Sequence, residues 1–391
     1  MKKLISLTLA AAMTMSLLAG CGSNSSAGTD SADASAETFK IGGIGPITGA
    51  GAVYGIAVKN GAELAIKEIN EAGGINGYQI EYNFQDDELD NEKSVNAYNT
   101  LKDWGMNMLV GSVTSGCCVA VAAESKNDNM FQITPSGSSV DCIEGNDNVF
   151  QVCFTDPNQG VGAADYIGEN GLASKVAVIY DSSDVYSSGI YAKFKEEAAT
   201  QNFEIVSEEA FTADNKTDFS VQLAKAQEAG AELVFLPIYY TEASLILKQA
   251  DSMGYAPKFF GCDGLDGILG VENFDTSLAE GVMLLTPFAA DAQDDLTKKF
   301  VSAYETAYND TPNQFAADAY DAVYAIKAAA EKGDVVPSDG VSGICDKMKA
   351  AMQEITVNGL TGEGMNWAAD GTVNKAPKAM EIKNGAYALV Q

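Results

Sequence analysis

Short apolar runs alternate along this chain with longer stretches whose apolar positions recur every three to four residues, the pattern of strands separated by helices. Residues 39–44 form the first run and end in Gly-Pro-Ile-Thr-Gly. Residues 54–71 then carry Ile56, Ala62, Ala65, Ile66 and Ile69 at helical spacing and stop at Gly73-Gly74. A second strand is predicted at 80–84. The acidic run 86–90 predicts a cap for a helix reaching Trp104; it lacks the Gly and the distal Glu that a calcium loop needs. A second series follows, with strands at 149–154, 175–180, near Ile205, at 233–237 and 258–261. Helices are predicted to Asn170, from Ser187, at 219–229 and at 242–253. A strand at 282–285, helices at 296–308 and 315–331, and a hairpin at 379–382 and 387–390 complete the chain.

Apolar strands joined by helices of this length predict parallel sheets covered on both faces, and two consecutive series predict an α/β protein of two doubly wound parallel-sheet lobes. The 391 residues exceed what one ordinary core holds. With the terminal helices and hairpin returning to lobe one and then lobe two, the chain crosses three times, which makes a three-strand hinge. The expected division is an N-terminal lobe of 39–155 plus 288–361 and a C-terminal lobe of 156–287 plus 362–391.

The stretch 108–139 carries the first chemical signal. Its two apolar runs, 108–110 and 131–133, stop abruptly in small hydroxyl and glycine residues, as buried strands do when they hand over to a helix start or a turn. Unpaired N–H groups there, with Ser115, Ser136 and Ser138, suit a small anion held without a cationic side chain. All 24 basic residues are Lys, and the chain has no His.

Composition narrows the rest. A net charge of −30 and the lack of clustered basic residues exclude nucleic acid as a partner. Without His, the usual triad hydrolase has no base, and Gly-x-Ser-x-Gly is missing. The turn 43–49 misses the dinucleotide fingerprint and reads instead as a place where backbone can approach a ligand closely. No cofactor, metal or enzymatic activity is expected. Cys117, Cys118, Cys142, Cys153, Cys262 and Cys345 show no CxxC spacing and read as small buried residues; pairing of Cys142 with Cys117 or Cys118 stays open.

Residues 1–20 combine a Lys-Lys start with a short apolar run and read as an export signal. Leu18-Ala19-Gly20-Cys21 resembles the bacterial lipoprotein cleavage box, which implies lipidation of Cys21; an incidental Cys behind a plain signal-peptidase site is the alternative. Residues 21–38 are rich in Ser, Ala, Gly and Asp and read as a disordered tether.

From Phe39 onward the chain resembles the type I solute-binding proteins of ABC importers, specifically the leucine/isoleucine/valine-binding or branched-chain amino acid family. The resemblance rests on IGGIGPITG at 41–49 with Tyr54-Gly55, NGAELAIKEINEAGGINGY at 60–78, LVGSVTSG at 109–116 and ITPSGS at 133–138. It continues through DSSDVYSSG around Tyr186, TDFSVQL at 217–223, LVFLPIYY at 233–240, FFGCDG at 259–264 and Phe315 before ADAYDAV.

This resemblance implies a periplasmic-binding fold and a lipid-tethered, monomeric receptor on the outer face of the bacterial cytoplasmic membrane. Such a receptor delivers a small amino acid to a membrane permease and its ATPase. It also implies a carboxylate held at Ser115 and Ser138, and an ammonium met by the Ser136 carbonyl and Asp263. Tyr54, Tyr186, Tyr239 and Phe315 wall the side-chain pocket, with Tyr240 as the neighbour of Tyr239. Each has a plainer reading: Ser115 and Ser138 as helix caps, Asp263 as a turn former, Tyr186 and Tyr239 as core or rim aromatics. Alternatives of the same fold are a receptor for an amide, short peptide or aromatic acid, or a ligand-sensing domain.

Overall fold

A computed structural model describes residues 37–390. The export signal, the Cys21 box and the tether as far as residue 36 lie outside the described residues.

The first series builds β1 (Phe39–Gly45), α1 (Ala52–Glu71), β2 (Ile80–Asp86), α2 (Asn91–Trp104), β3 (Met108–Gly111), α3 (Ser115–Asn127), β4 (Gln132–Thr134) and β5 (Val149–Gln151). Its five strands are all parallel, in the order β2-β1-β3-β4-β5, with Ile41 opposite Met108 and Gln132 opposite Val149. Strand β3 is buried along its whole length, as its unbroken apolar run predicts for a sheet covered on both faces. Asp90 caps α2 through Lys93 N, the role expected of the acidic run.

The second series gives α4 (Asp156–Glu169), β6 (Lys175–Asp181), α5 (Val185–Ala198), β7 (Glu204–Phe211), α6 (Ser220–Glu228), β8 (Leu233–Leu236), α7 (Tyr240–Ser252), β9 (Lys258–Gly261) and β10 (Met283–Thr286). With β11 (Lys378–Lys383) and β12 (Ala386–Leu389), these strands form a sheet ordered β12-β11-β10-β9-β8-β6-β7. The closing hairpin joins it antiparallel through β10, an edge on an otherwise parallel sheet.

Between β10 and β11 the chain returns to the first sheet. Helices α8 (Asp295–Tyr308) and α9 (Gln314–Lys332) cover α1. At Gly61 the two backbones touch so closely that a Cβ there would stand 2.1 Å from the Ala316 carbonyl oxygen. Helix α10 (Gly340–Met352) was not expected from the pattern, since Gly340 and Gly343 interrupt it. It nevertheless buries Ile344, Cys345, Met348 and Met352 at helical spacing.

The expected handover to the second lobe at 361–362 comes later. Gln151 N donates to Gly371 O and Trp367 Nε1 to Gln151 O, so residues 365–373 lie against β5. Lys375 is fixed to Asp318 of α9 at 2.7 Å, with both side chains at least 97% buried. Only after this ion pair does the chain enter β11. The glycine-rich turn 43–49 also differs from expectation, because its space is taken by protein: a Cβ on Gly45 would strike Val113, and the Pro46 carbonyl rests against Gly55 of α1. All six described cysteines are buried and unpaired, so the disulfide alternative for Cys142 does not occur.

Candidate functional site

In each sheet the strand order reverses once, between β1 and β3 and between β6 and β8, and the loops at the carboxyl ends of the strands there open onto a common space. Ser115 begins α3 just after β3, and Ser136 follows β4. Tyr186 lies in the first turn of α5 after β6, Tyr239 is the N-cap of α7 after β8, and Asp263 follows β9. Tyr54 from α1 and Phe315 from α9 complete the ring.

These seven side chains line one cavity, together with Val113, Thr114 and Gly264. The space left is about 10 Å³, room for about one water molecule, so a larger ligand requires the two halves to part. Past Thr114 and Tyr239 the cleft widens outward to about 430 Å³.

On the first-sheet side, hydrogen bonds hold two turns together. Ser139 N donates to Ser115 Oγ at 3.1 Å, Ser136 Oγ donates to Val113 O at 2.7 Å, and Thr134 Oγ1 donates to Ser112 O at 2.7 Å while accepting from Gly137 N at 2.7 Å. The Ser115 hydroxyl accepts within the protein and keeps its proton to donate into the cavity. Thr114 is the N-cap of α3 with no side-chain cap bond, so the N–H groups of that helix start are not consumed by its hydroxyl.

On the second-sheet side Asp263 is central. Its Oδ1 accepts from Tyr186 Oη at 2.7 Å, and its backbone N donates to Gln159 Oε1 at 3.1 Å. Its carbonyl accepts from Gln314 Nε2 at 2.9 Å. Burial pushes its carboxyl up to about 7, with the Tyr186 hydroxyl holding it partly down. A cation placed beside it would restore the charged form.

The aromatic wall is continuous. Tyr186 stacks on Tyr239 with centroids 4.9 Å apart, and Tyr54 lies 4.5 Å from Phe315 and 5.8 Å from Tyr239. Tyr54 also ties the two halves together, donating its hydroxyl to Gly264 O and accepting from Tyr240 N at 3.2 Å. Thr241 Oγ1 donates across the same seam to Ala50 O at 2.8 Å.

Two expectations change. Ser138 does not line the cavity: it is fully buried, its carbonyl accepts from Asp156 N at 2.9 Å, and its hydroxyl lies toward the Asp156 carboxyl. Within this turn Ser136 lines the cavity while Ser138 is buried away from it, which composition alone does not reveal. Tyr240 is not a substitute for Tyr239, since its hydroxyl is turned to Val53 N. Thr114 and Gly264 went unnamed although each adjoins a named residue; Gln159 and Gln314, which position Asp263, carried no local signal.

Buried carboxyls recur among the described residues. Burial pushes Asp87, Asp184, Asp266 and Asp321 up to about 6, and Asp263 to about 7. Each holds a proton more readily folded than unfolded, so its stabilising effect is complete below the unfolded value of about 4 and is lost as pH rises through 6 to 7. The melting temperature by calorimetry is therefore expected to be several degrees higher at pH 5 than at pH 8. A higher value at pH 8 would contradict this.

The model of the periplasmic binding protein family matches residues 38–386. The "Leu/Ile/Val-binding protein homolog 3" of Brucella melitensis is 33% identical over 308 residues, covering 77% of this chain and 81% of that protein. The "leucine-, isoleucine-, valine-, threonine-, and alanine-binding protein" of Pseudomonas aeruginosa is 30% identical over 307 residues, covering 78% and 81%. Among solved structures, the branched-chain amino acid transporter substrate binding protein LivJ from Streptococcus pneumoniae, in complex with isoleucine, superposes with a TM-score of 0.81. That pair is 31% identical, covering 90% of this chain and 97% of the other.

Proposed function

Because the chain belongs to the periplasmic binding protein family, we propose that it is the extracytoplasmic receptor of an ABC importer and closes two lobes over a small branched-chain amino acid. Proteins of this family bind solutes and are not enzymes. The observation that carries the reading is the meeting of Ser115 and Ser136 from one half with Tyr186, Tyr239 and Asp263 from the other around one cavity. In this reading the α3 start and the Ser115 hydroxyl take the carboxylate, Asp263 takes the ammonium, and Tyr54, Tyr186, Tyr239 and Phe315 enclose the aliphatic side chain.

A ligand favours closure only through contacts it makes better in the closed arrangement, and a zwitterion makes them to both lobes at once. The anion end is captured on the first lobe. The cation end then draws in the turn that carries Asp263, and Tyr54 locks the seam to Gly264. The hinge comprises the three crossings, the last of them after Lys375 rather than at 361–362. Lipidation at Cys21, a monomeric state, and delivery to a permease with its ATPase belong to the same proposal.

The test is a thermal-shift screen of the purified protein against the twenty amino acids and simple amides. A ligand at about 100 times its dissociation constant adds about 2.7 kcal/mol. Leucine, isoleucine or valine is expected to give the largest rise in melting temperature. A shift with amides but none with amino acids would replace this reading by the amide-receptor alternative.

A further inference from the structure

Of the ten residues that line the central cavity, only Thr114 and Tyr239 also line the outer cleft of about 430 Å³. Elsewhere the wall is backed by protein. Tyr240 packs on Tyr54 with ring centroids 4.7 Å apart, a Cβ on Gly264 would stand 2.8 Å from the Ile238 carbonyl oxygen, and Val113 fills the space over Gly45. A ligand side chain that outgrows the central cavity therefore has one way on, between Thr114 and Tyr239.

The two sides of this gap differ. Tyr239 is fixed: its ring lies within 9° of parallel to Tyr186 and edge-on to Tyr54, and its hydroxyl is directed at the Asp184 carboxyl. Thr114 is 5% exposed, on extended backbone with φ −98° and ψ 150°, and its side chain makes no cap bond to α3. Its size can change without loss of a helix cap. Past the gap the cleft offers Val185, Phe211 and Ile238 as apolar surface. A hydrocarbon chain that reaches this surface gains about fourfold in affinity per buried methylene. One stopped at Thr114 has to fold back or displace packed atoms and gains nothing.

We propose that Thr114 determines specificity by chain length: its side chain closes the gap beside Tyr239 and so limits how far the side chain of a bound amino acid can extend. The proposal rests on the amino-acid reading of the central cavity and adds a residue that selects among amino acids.

The test is calorimetric titration of the purified full chain with L-norleucine and L-2-aminooctanoic acid, which differ by two methylenes. The parent is expected to bind norleucine more tightly. Thr114→Gly is expected to shift the ratio of the two affinities at least tenfold toward 2-aminooctanoic acid, and Thr114→Ser, the milder change, to shift it the same way by at least threefold. Thr114→Val, which keeps the shape and removes the hydroxyl, is expected to leave the ratio as in the parent. Val185 borders the outer cleft and not the central cavity, so Val185→Trp added to Thr114→Gly is expected to cancel the gain. Melting curves of each variant check that it is folded. A parent that binds neither amino acid would overturn the amino-acid reading and this proposal with it. A parent that binds norleucine would overturn the proposal alone if it took 2-aminooctanoic acid equally well, if the ratio stayed fixed in Thr114→Gly and Thr114→Ser, if Thr114→Val shifted it as far as Thr114→Gly, or if the gain survived Val185→Trp.

Discussion

Replacing Lys375 by Met is expected to lower the stability of the folded protein by about 3–5 kcal/mol at pH 8. Lys375 Nζ donates to Asp318 Oδ1 at 2.7 Å and to Thr361 Oγ1 at 2.6 Å, and neither charged side chain is more than 3% exposed. The methionine fills similar volume but leaves Asp318 charged and unpaired, and burial already pushes that carboxyl up even with Lys375 beside it. Without the lysine its pKa rises further, so at pH 5 the carboxyl takes a proton and part of the loss disappears. Denaturant unfolding of the variant and the parent at the two pH values measures this. Equal losses at both would show that the ion pair is not the cause. The pair stands at the last crossing between the sheets, on the helix that presents Phe315.

Asp263→Asn is expected to weaken amino-acid binding at least tenfold, about 1.4 kcal/mol or more, with little change in fold. Asparagine keeps an oxygen for the Tyr186 hydroxyl, and the backbone bonds to Gln159 and Gln314 are untouched. What is lost is the charge that would face a buried ammonium. The variant also sheds a carboxyl whose ionisation burial opposes, so at pH 8 its melting temperature without ligand is expected to stay the same or rise. A fall in affinity combined with no fall in stability separates a binding role from a structural one. Unchanged isoleucine affinity by calorimetry would remove Asp263 from the site.

Much of the fold was legible because strands such as β3 and β8 are uninterrupted apolar runs bounded by Gly, Pro and hydroxyl residues, while α1 and α9 keep a clear helical period. Helix α10 was not, because Gly340 and Gly343 mask a periodicity that only packing against neighbouring helices makes stable. Residues 362–375 carry too little regular structure for their partner to be read: Trp367 meets Gln151 across 216 positions of sequence.

Ser115 and Asp263, which line the cavity, lie where strand ends meet hydroxyl, glycine or acidic residues. Ser138 was misplaced because three serines within four positions of one turn cannot all face one cavity, and the hydrogen bonds of Thr134 and Gln151 decide which does. Gln314 was missed because its amide reaches Asp263 from 51 positions away.

The central claim is that each lobe reads one end of a zwitterion. It is tested most directly by calorimetry comparing isoleucine with 2-methylbutylamine, which lacks the carboxylate, and 3-methylpentanoic acid, which lacks the ammonium. Isoleucine is expected to bind at least tenfold more tightly than either, since each truncated ligand leaves buried polar groups of one lobe unpaired. Equal affinity for the acid and for isoleucine would contradict the account.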